Sequence, residues 1–216
     1  MYLSRLKLNP VSRQVRAEIG NPYEMHRSVM QAFAGHLAPD ERVLFRLDIQ
    51  PQSGLPVLLV QSFNLPDWAF LQRADKNFLL AVDGEENPAV KPFNLHLSSG
   101  QKLYFRLKAA PSVKKDRPGH KQGRRVALYD EDQQLNWLKR KFEEAGCQLL
   151  DTSMQKGNML EGTYFEGRDK QTFSLFSVLF DGALMVKDPL GLEKTVRCGV
   201  GSGKGFGLGL LSLARV

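Results

Sequence analysis

The sequence contains only two cysteines, Cys147 and Cys198. They form no CxxC pair and no histidine sits at ligand spacing from either, so no structural zinc site is expected and both are expected to be buried, reduced thiols. Nothing approaches the ~20 consecutive apolar residues of a membrane-spanning helix. Met1 to Leu8 alternates apolar and polar residues and lacks the continuous apolar core of a signal peptide. A cytoplasmic protein with no membrane partner is therefore expected. Carboxylates and histidines do not cluster at metal spacing, so no metal ion is expected either. With 42% hydrophobic and 25% charged residues in 216, the chain can bury the core of one large domain or two small ones, and wholesale disorder is not expected.

What is present is basic charge. The net charge is +7, which alone is a weak sign of a polyanion partner. Its distribution says more. Lys102, Arg106, Lys108, Lys114, Lys115, Arg117, Lys121, Arg124 and Arg125 stand against one acid, Asp116. Such a run can neutralise several phosphates at once, although its central part also reads as a solvated loop.

Periodicity gives the order of elements. Tyr2 to Leu8 reads as a strand. Asn21-Pro22-Tyr23-Glu24 reads as a helix start, with Asn21 as N-cap, Pro22 in the first position and Glu24 able to reach back as in a capping box. Met25, Val29, Phe33 and Leu37 form one apolar stripe; Gly35 weakens the helix end and Pro39 stops it. Val43–Asp48 and Val57–Ser62 are strand-like across a turn-rich connector, Leu65–Gln72 a short helix, and Phe78–Val82 a further strand. Asp83–Ser99 reads as a linker.

The order then recurs. Leu103–Leu107 is a strand, and Asp130–Ala145 is a helix with Leu135, Leu138 and Phe142 on one face and Gly146 as its stop. Gln148–Asp151, Thr172–Phe180 and Ala183–Lys187 are strand-like, with Asp181-Gly182 as a hairpin signal. Gly191–Cys198 is a short helix and Leu208–Ala214 a closing strand. The economical architecture is α+β: two tandem ferredoxin-like β-α-β-β-α-β domains, 1–90 and 100–216, with a C-terminal glycine-rich loop.

That loop, Gly199 to Gly209, has six glycines in eleven residues. Glycines let backbone N–H groups approach a phosphate. A P-loop would need glycine at Cys198 and Ser or Thr at Gly205, and no register supplies G-x-G-x-x-G. No nucleotide cofactor is expected; Ser202 and Lys204 point instead to an RNA backbone contact, with a ligand-free flexible turn as the alternative.

The motif Gly199-Val200-Gly201-Ser202-Gly203-Lys204, continuing to Gly207-Leu208-Gly209-Leu210-Leu211, resembles the RAMP superfamily of CRISPR-associated proteins. Met1-Tyr2-Leu3-Ser4, Tyr104-Phe105-Arg106-Leu107 followed by Lys108-Ala109-Ala110-Pro111, Trp137-Leu138 and Asn21 to Arg27 resemble its CasE branch. The resemblance covers nearly the whole chain in the same order. It implies a metal-independent endoribonuclease that cuts CRISPR precursor RNA at the 3′ base of the repeat stem-loop. The RNA's own 2′-hydroxyl would attack, yielding mature crRNA, and the protein would remain bound beside other Cascade subunits. It also implies that Tyr23 and His26 are catalytic, that a hairpin at Met154–Lys170 meets the base of the stem, and that Arg168 and Lys170 contact RNA there. Local sequence alone would make His26 a surface histidine and Tyr23 a half-buried aromatic. His36, His96 and His120 are read as structural or exposed. The alternative is a non-catalytic RNA-binding RAMP subunit.

The chemistry is consistent with the pair. Three residues apart on a helix, Tyr23 and His26 share a face, in first turns whose partial positive charge favours a phosphate and opposes imidazole protonation. A histidine near its reference pKa of ~6.5 can protonate a departing 5′-oxygen, whereas a tyrosine near ~10 is a poor base and serves better as a hydrogen-bond donor. Stem recognition is expected to rest on Lys102, Arg106, Lys108, Lys114, Lys115, Lys121, Arg124 and Arg125, because an RNA duplex offers a phosphate track rather than readable base edges.

Overall fold

The alternating N-terminal segment forms strand β1 (Tyr2–Lys7), with Leu6 fully buried and Arg5 exposed. The computed structural model describes residues 1–33, 42–116, 123–167 and 169–216. It divides into one unit of Met1–Leu95, Glu161–Phe173 and Lys204–Gly207, and a second of His96–Leu160, Ser174–Gly203 and Leu208–Val216. Both are α+β. Among the described residues no helix is long and apolar enough to cross a membrane.

In the first unit β1 is followed by α1 (Arg13–Gly20), α2 (Pro22–Gln31), β2 (Leu44–Ile49), β3 (Pro56–Ser62), α3 (Ala69–Ala74) and β4 (Ala89–Pro92), and the sheet order is β2-β3-β1-β4. β1 pairs antiparallel with β3 and β4, and β3 antiparallel with β2. Met25, Val29 and Phe33 of the anticipated stripe are buried with Leu6, Phe45, Leu58, Val60 and Trp68 in one core. Gly35, His36, Leu37 and Pro39 lie outside the described residues.

Three expectations need correction here. α1 has no counterpart in the sequence reading, although Ser12 caps it by accepting from the Val15 N–H. Phe78–Val82 is not a strand: only Leu79 bridges to Leu8, and the edge strand is β4, inside the expected linker. Pro88 precedes it and Pro92 is its last residue, and such prolines, tolerated at a sheet edge, disguised it as a loop. The short helix begins at Ala69, not Leu65, because the Asp67 carboxylate accepts the Ala69 N–H and fixes the start.

The second unit is built from β5 (Lys102–Ala109), β6 (Ser112–Lys115), β7 (Arg124–Ala127), α4 (Glu131–Glu144), β8 (Cys147–Glu166) and β9 (Asp169–Val186) apart from their ends at 161–173, α5 (Pro189–Cys198) and β10 (Leu211–Arg215). Its main sheet runs β10-β5-β9-β8, and β6 and β7 form a separate hairpin. Asp130 caps α4 by accepting the Gln133 N–H, and Phe142 packs edge-on to Phe105 at 4.8 Å.

The Asp181-Gly182 hairpin is also corrected. β9 runs straight through both residues, which pair with Arg106 and Phe105 of β5. Asp181 is there to accept two bonds from the Arg106 guanidinium. Gly182 is there because the Asp151 backbone leaves no room for a Cβ. The strands read separately as Gln148–Asp151 and Thr172–Phe180 are thus parts of one long hairpin, β8 and β9, turning at Gly167. Cys147 is buried as expected but Cys198, in the last turn of α5, is exposed.

Candidate active site

The site grows from the start of α2. Burial of Pro22, Met25 and Val29 fixes the rotation of the helix, which leaves Tyr23 and His26 half-buried on a neighbouring face. Glu24 does not reach back as a capping box; it pairs with Arg27 at 2.9 Å. Asn21 is the N-cap residue by position, yet its side chain makes no cap bond. Its amide instead donates to the Thr163 carbonyl at 2.9 Å, and its oxygen accepts the Thr163 N–H at 3.3 Å.

His26 lies over Phe45 of β2, ring centroids 6.3 Å apart and nearly parallel. On another side is the 3-10 turn Lys204–Phe206: a methyl at Gly205 would meet the imidazole Cε1 at 3.7 Å. This enclosure lowers the His26 pKa from its ordinary value, and burial is the cause. The helix terminus, expected to do this, is not needed to explain it. Tyr23 faces Tyr164 at 5.2 Å, and Phe173 stacks on Phe206 at 4.0 Å. Three segments distant in sequence therefore meet: the first turns of α2, the tip of the β8–β9 hairpin, and the glycine loop at 204–207.

The anticipated RNA contacts fall into two groups. Lys170, exposed near the hairpin tip, and Lys204, in the 3-10 turn, belong to the first unit with Tyr23 and His26. Lys102, Arg106, Lys108, Lys114, Lys115, Arg124, Arg125 and Ser202 belong to the second. Arg117, Lys121, His120 and Arg168 lie outside the described residues, and His96 is exposed. Arg106 is committed to Asp181, Nε to Oδ1 at 2.6 Å, so local pairing offsets its charge. On the β6–β7 hairpin Lys114 stands opposite Arg125 and Lys115 opposite Arg124. Like charges directly across strands destabilise a hairpin, and a polyanion relieves that repulsion.

Sequence reasoning missed Phe45, Thr163, Tyr164, Phe173 and Phe206. The only signals were an aromatic set among glycines at Phe206 and the aromatics Tyr164, Phe165 and Phe173 close to the hairpin tip.

The family model described as CRISPR associated protein matches residues 1–215. The CRISPR-associated endoribonuclease Cse3 of Thermus thermophilus is 39% identical over 227 residues, covering 99% of this chain and 100% of that protein. The Cascade subunit CasE of Escherichia coli (strain K12) is 27% identical, covering 99% of each. A solved structure of Cse3 bound to a 19 nt RNA superposes with a TM-score of 0.85 at 37% identity, covering 99% of this chain and 100% of that one. Thermus thermophilus Cse3 with an RNA representing a pre-cleavage complex gives 0.84 at 36%, covering 99% and 98%. With a full-length family match and two full-length relatives, the chain belongs to the CRISPR-associated protein family, in its CasE/Cse3 branch.

Proposed function

We propose that this chain is a metal-independent endoribonuclease that cuts precursor CRISPR RNA at the 3′ base of the repeat stem and stays on the crRNA as a Cascade subunit in the cytoplasm. The observation that carries the reading is the display of Tyr23 and His26 together on the first turns of α2, with the imidazole held between Phe45 and the glycine loop. No side chain caps that helix, so its positive end remains available to a phosphate.

The 2′-hydroxyl loses its proton to solvent water as its oxygen bonds the adjacent phosphorus in line, the P–O5′ bond breaks, and the products are a 2′,3′-cyclic phosphate and a 5′-hydroxyl. His26 in its imidazolium form delivers the proton to the departing O5′. Burial keeps the free protein's His26 largely neutral near pH 7, and the incoming phosphate raises its proton affinity, so the acid is loaded when RNA binds. The Tyr23 hydroxyl donates to a non-bridging phosphate oxygen. Lys170 and Lys204 supply charge near the scissile linkage. Lys102, Lys108, Lys114, Lys115, Arg124 and Arg125 contact stem phosphates, with Ser202 as a backbone contact; Arg106 drops out of this set because of Asp181.

Two tandem ferredoxin-like domains, at 1–90 and 100–216, are part of the same proposal. The sheet orders support it: β4-β1-β3-β2 and β10-β5-β9-β8 are the same winding, with β6 and β7 as an insertion. Contact groups the hairpin tip at 161–173 and the loop at 204–207 with the first domain.

Replacing His26 with alanine tests the chemistry, because alanine keeps the helix. Stem-loop affinity should change little, while the single-turnover rate falls by at least ~10²; Tyr23→Phe should slow cleavage by less. A wild-type rate in His26→Ala would place the active site elsewhere. A parallel loss of affinity and rate would make His26 a docking residue and favour a non-catalytic RNA-binding subunit.

A further inference from the structure

We propose that Asn21 and Tyr164 form a latch between the start of α2 and the hairpin tip, and that the latch positions Tyr23 for cleavage. The inference rests on the assignment of Tyr23 above and adds two positioning residues to it. Asparagine is a strong N-cap because its oxygen accepts an N–H of its own helix. Here Asn21 gives that up: both ends of its amide engage the backbone of Thr163, 142 residues away in sequence. A two-point bond of this kind fixes distance and orientation at once, as a single cap bond does not.

The surroundings are built for the latch. At Gly162 a methyl would lie 2.5 Å from Asn21 Oδ1 and 2.5 Å from Phe173 Cζ, so glycine is what lets the hairpin backbone approach. One residue beyond Thr163, the Tyr164 ring meets Tyr23 at 5.2 Å with a tilt of 35°. Asn21 and Tyr23 are two residues apart on one helix end, and Thr163 and Tyr164 are adjacent on the hairpin. The amide bonds therefore set where the Tyr164 ring stands, and that ring limits how the Tyr23 side chain can swing. A phenol half-buried at a helix terminus would otherwise choose among rotamers. Held on one side, its hydroxyl is presented in one place. Reacting groups displaced by about 1 Å can lose on the order of 10² in rate, so a loosened Tyr23 should be felt in the chemical step.

The test uses the full chain and a labelled repeat stem-loop, with affinity, single-turnover rate and melting temperature measured together. Asn21→Ser removes the latch but keeps a favoured N-cap residue, so the fold has an independent support. Asn21→Ser and Tyr164→Leu should each slow cleavage about 10-fold with affinity within about 2-fold, and Tyr164→Phe, which keeps the ring, should restore the rate. In a Tyr23→Phe background neither latch substitution should slow cleavage further, because the hydroxyl being positioned is gone. Wild-type rates in Asn21→Ser and Tyr164→Leu would overturn the latch. So would multiplicative losses in the Tyr23→Phe background, or affinity and rate falling in parallel, which would make the contact a docking feature. A wild-type rate in Tyr23→Phe alone would instead remove the assignment of Tyr23 on which the inference rests.

Discussion

Two glycines of the loop beside His26, two residues apart, should respond in opposite ways to the same added methyl. At Gly207 φ is +78°, and a Cβ would stand 3.0 Å from Phe45 Cε2 and 3.4 Å from Cδ2. Left-handed backbone costs an L-residue roughly 1–2 kcal/mol. Phe45, only 2% exposed in the core, has little room to yield, so Gly207→Ala should reach the upper part of that range. For a chain of this size each kcal/mol lowers the melting temperature by about 2–4 °C, giving a drop of roughly 4–8 °C. Because Phe45 also lies under His26, the cleavage rate should fall as well. At Gly205 a methyl meets only the imidazole, at 3.7 Å, an ordinary contact distance, without the positive φ of Gly207. Gly205→Ala should stay within about 0.5 kcal/mol of the parent. Thermal melts of the two variants beside the parent check this. Equal melting temperatures for Gly205→Ala and Gly207→Ala would refute the placement of Phe45 against this loop.

Two further outcomes are expected. Glu18 is buried, its Oε1 accepting from Ser28 and Gln14 while Oε2 has no hydrogen-bond partner; burial raises its pKa above the ordinary value, and Glu24 adds to the rise while the two hydrogen bonds oppose it. Its contribution to stability is therefore full below about pH 4.5 and is lost as pH rises through the folded-state value, so Glu18→Gln should gain melting temperature over the parent from pH 4 to pH 7; a difference independent of pH would contradict this. On the β6–β7 hairpin, Lys114→Ala with Arg124→Ala removes one cation from each like-charged pair, so stem-loop binding should weaken and its salt slope fall by about one unit per lost contact, with no loss of melting temperature. An unchanged slope would mean the hairpin touches no phosphate.

Local signals carried much of the fold. The stripe at Met25, Val29 and Phe33, the capped α4 and the alternation of β1 and β5 each follow from short-range pattern, and each forms. The failures lie where tertiary contact decides. Asp181-Gly182 has the chemistry of a turn, but its acid pairs with Arg106 and its glycine admits the backbone of a neighbouring strand. Asn21 has the chemistry of a cap, but its amide is used across 142 residues. β4 looks like a linker because its strand character comes from pairing with β1 rather than from its own residues. At the proposed site, helical spacing put Tyr23 and His26 on one face, and the roles proposed for them came from the family resemblance alone. Their flanking residues, Phe45, Tyr164 and the Gly205 backbone, come from other segments, and no spacing rule brings those to α2.

The central claim is cleavage by the RNA's own 2′-hydroxyl with Tyr23 and His26 in attendance and no metal ion. It is tested most directly by single-turnover cleavage of a labelled repeat stem-loop in excess EDTA, with and without a 2′-deoxy sugar 5′ of the cut. The account predicts that EDTA leaves the rate intact, that the product ends in a cyclic phosphate, and that the deoxy substrate binds but is not cut. Strict dependence on Mg²⁺, or cleavage of the deoxy substrate, would contradict it.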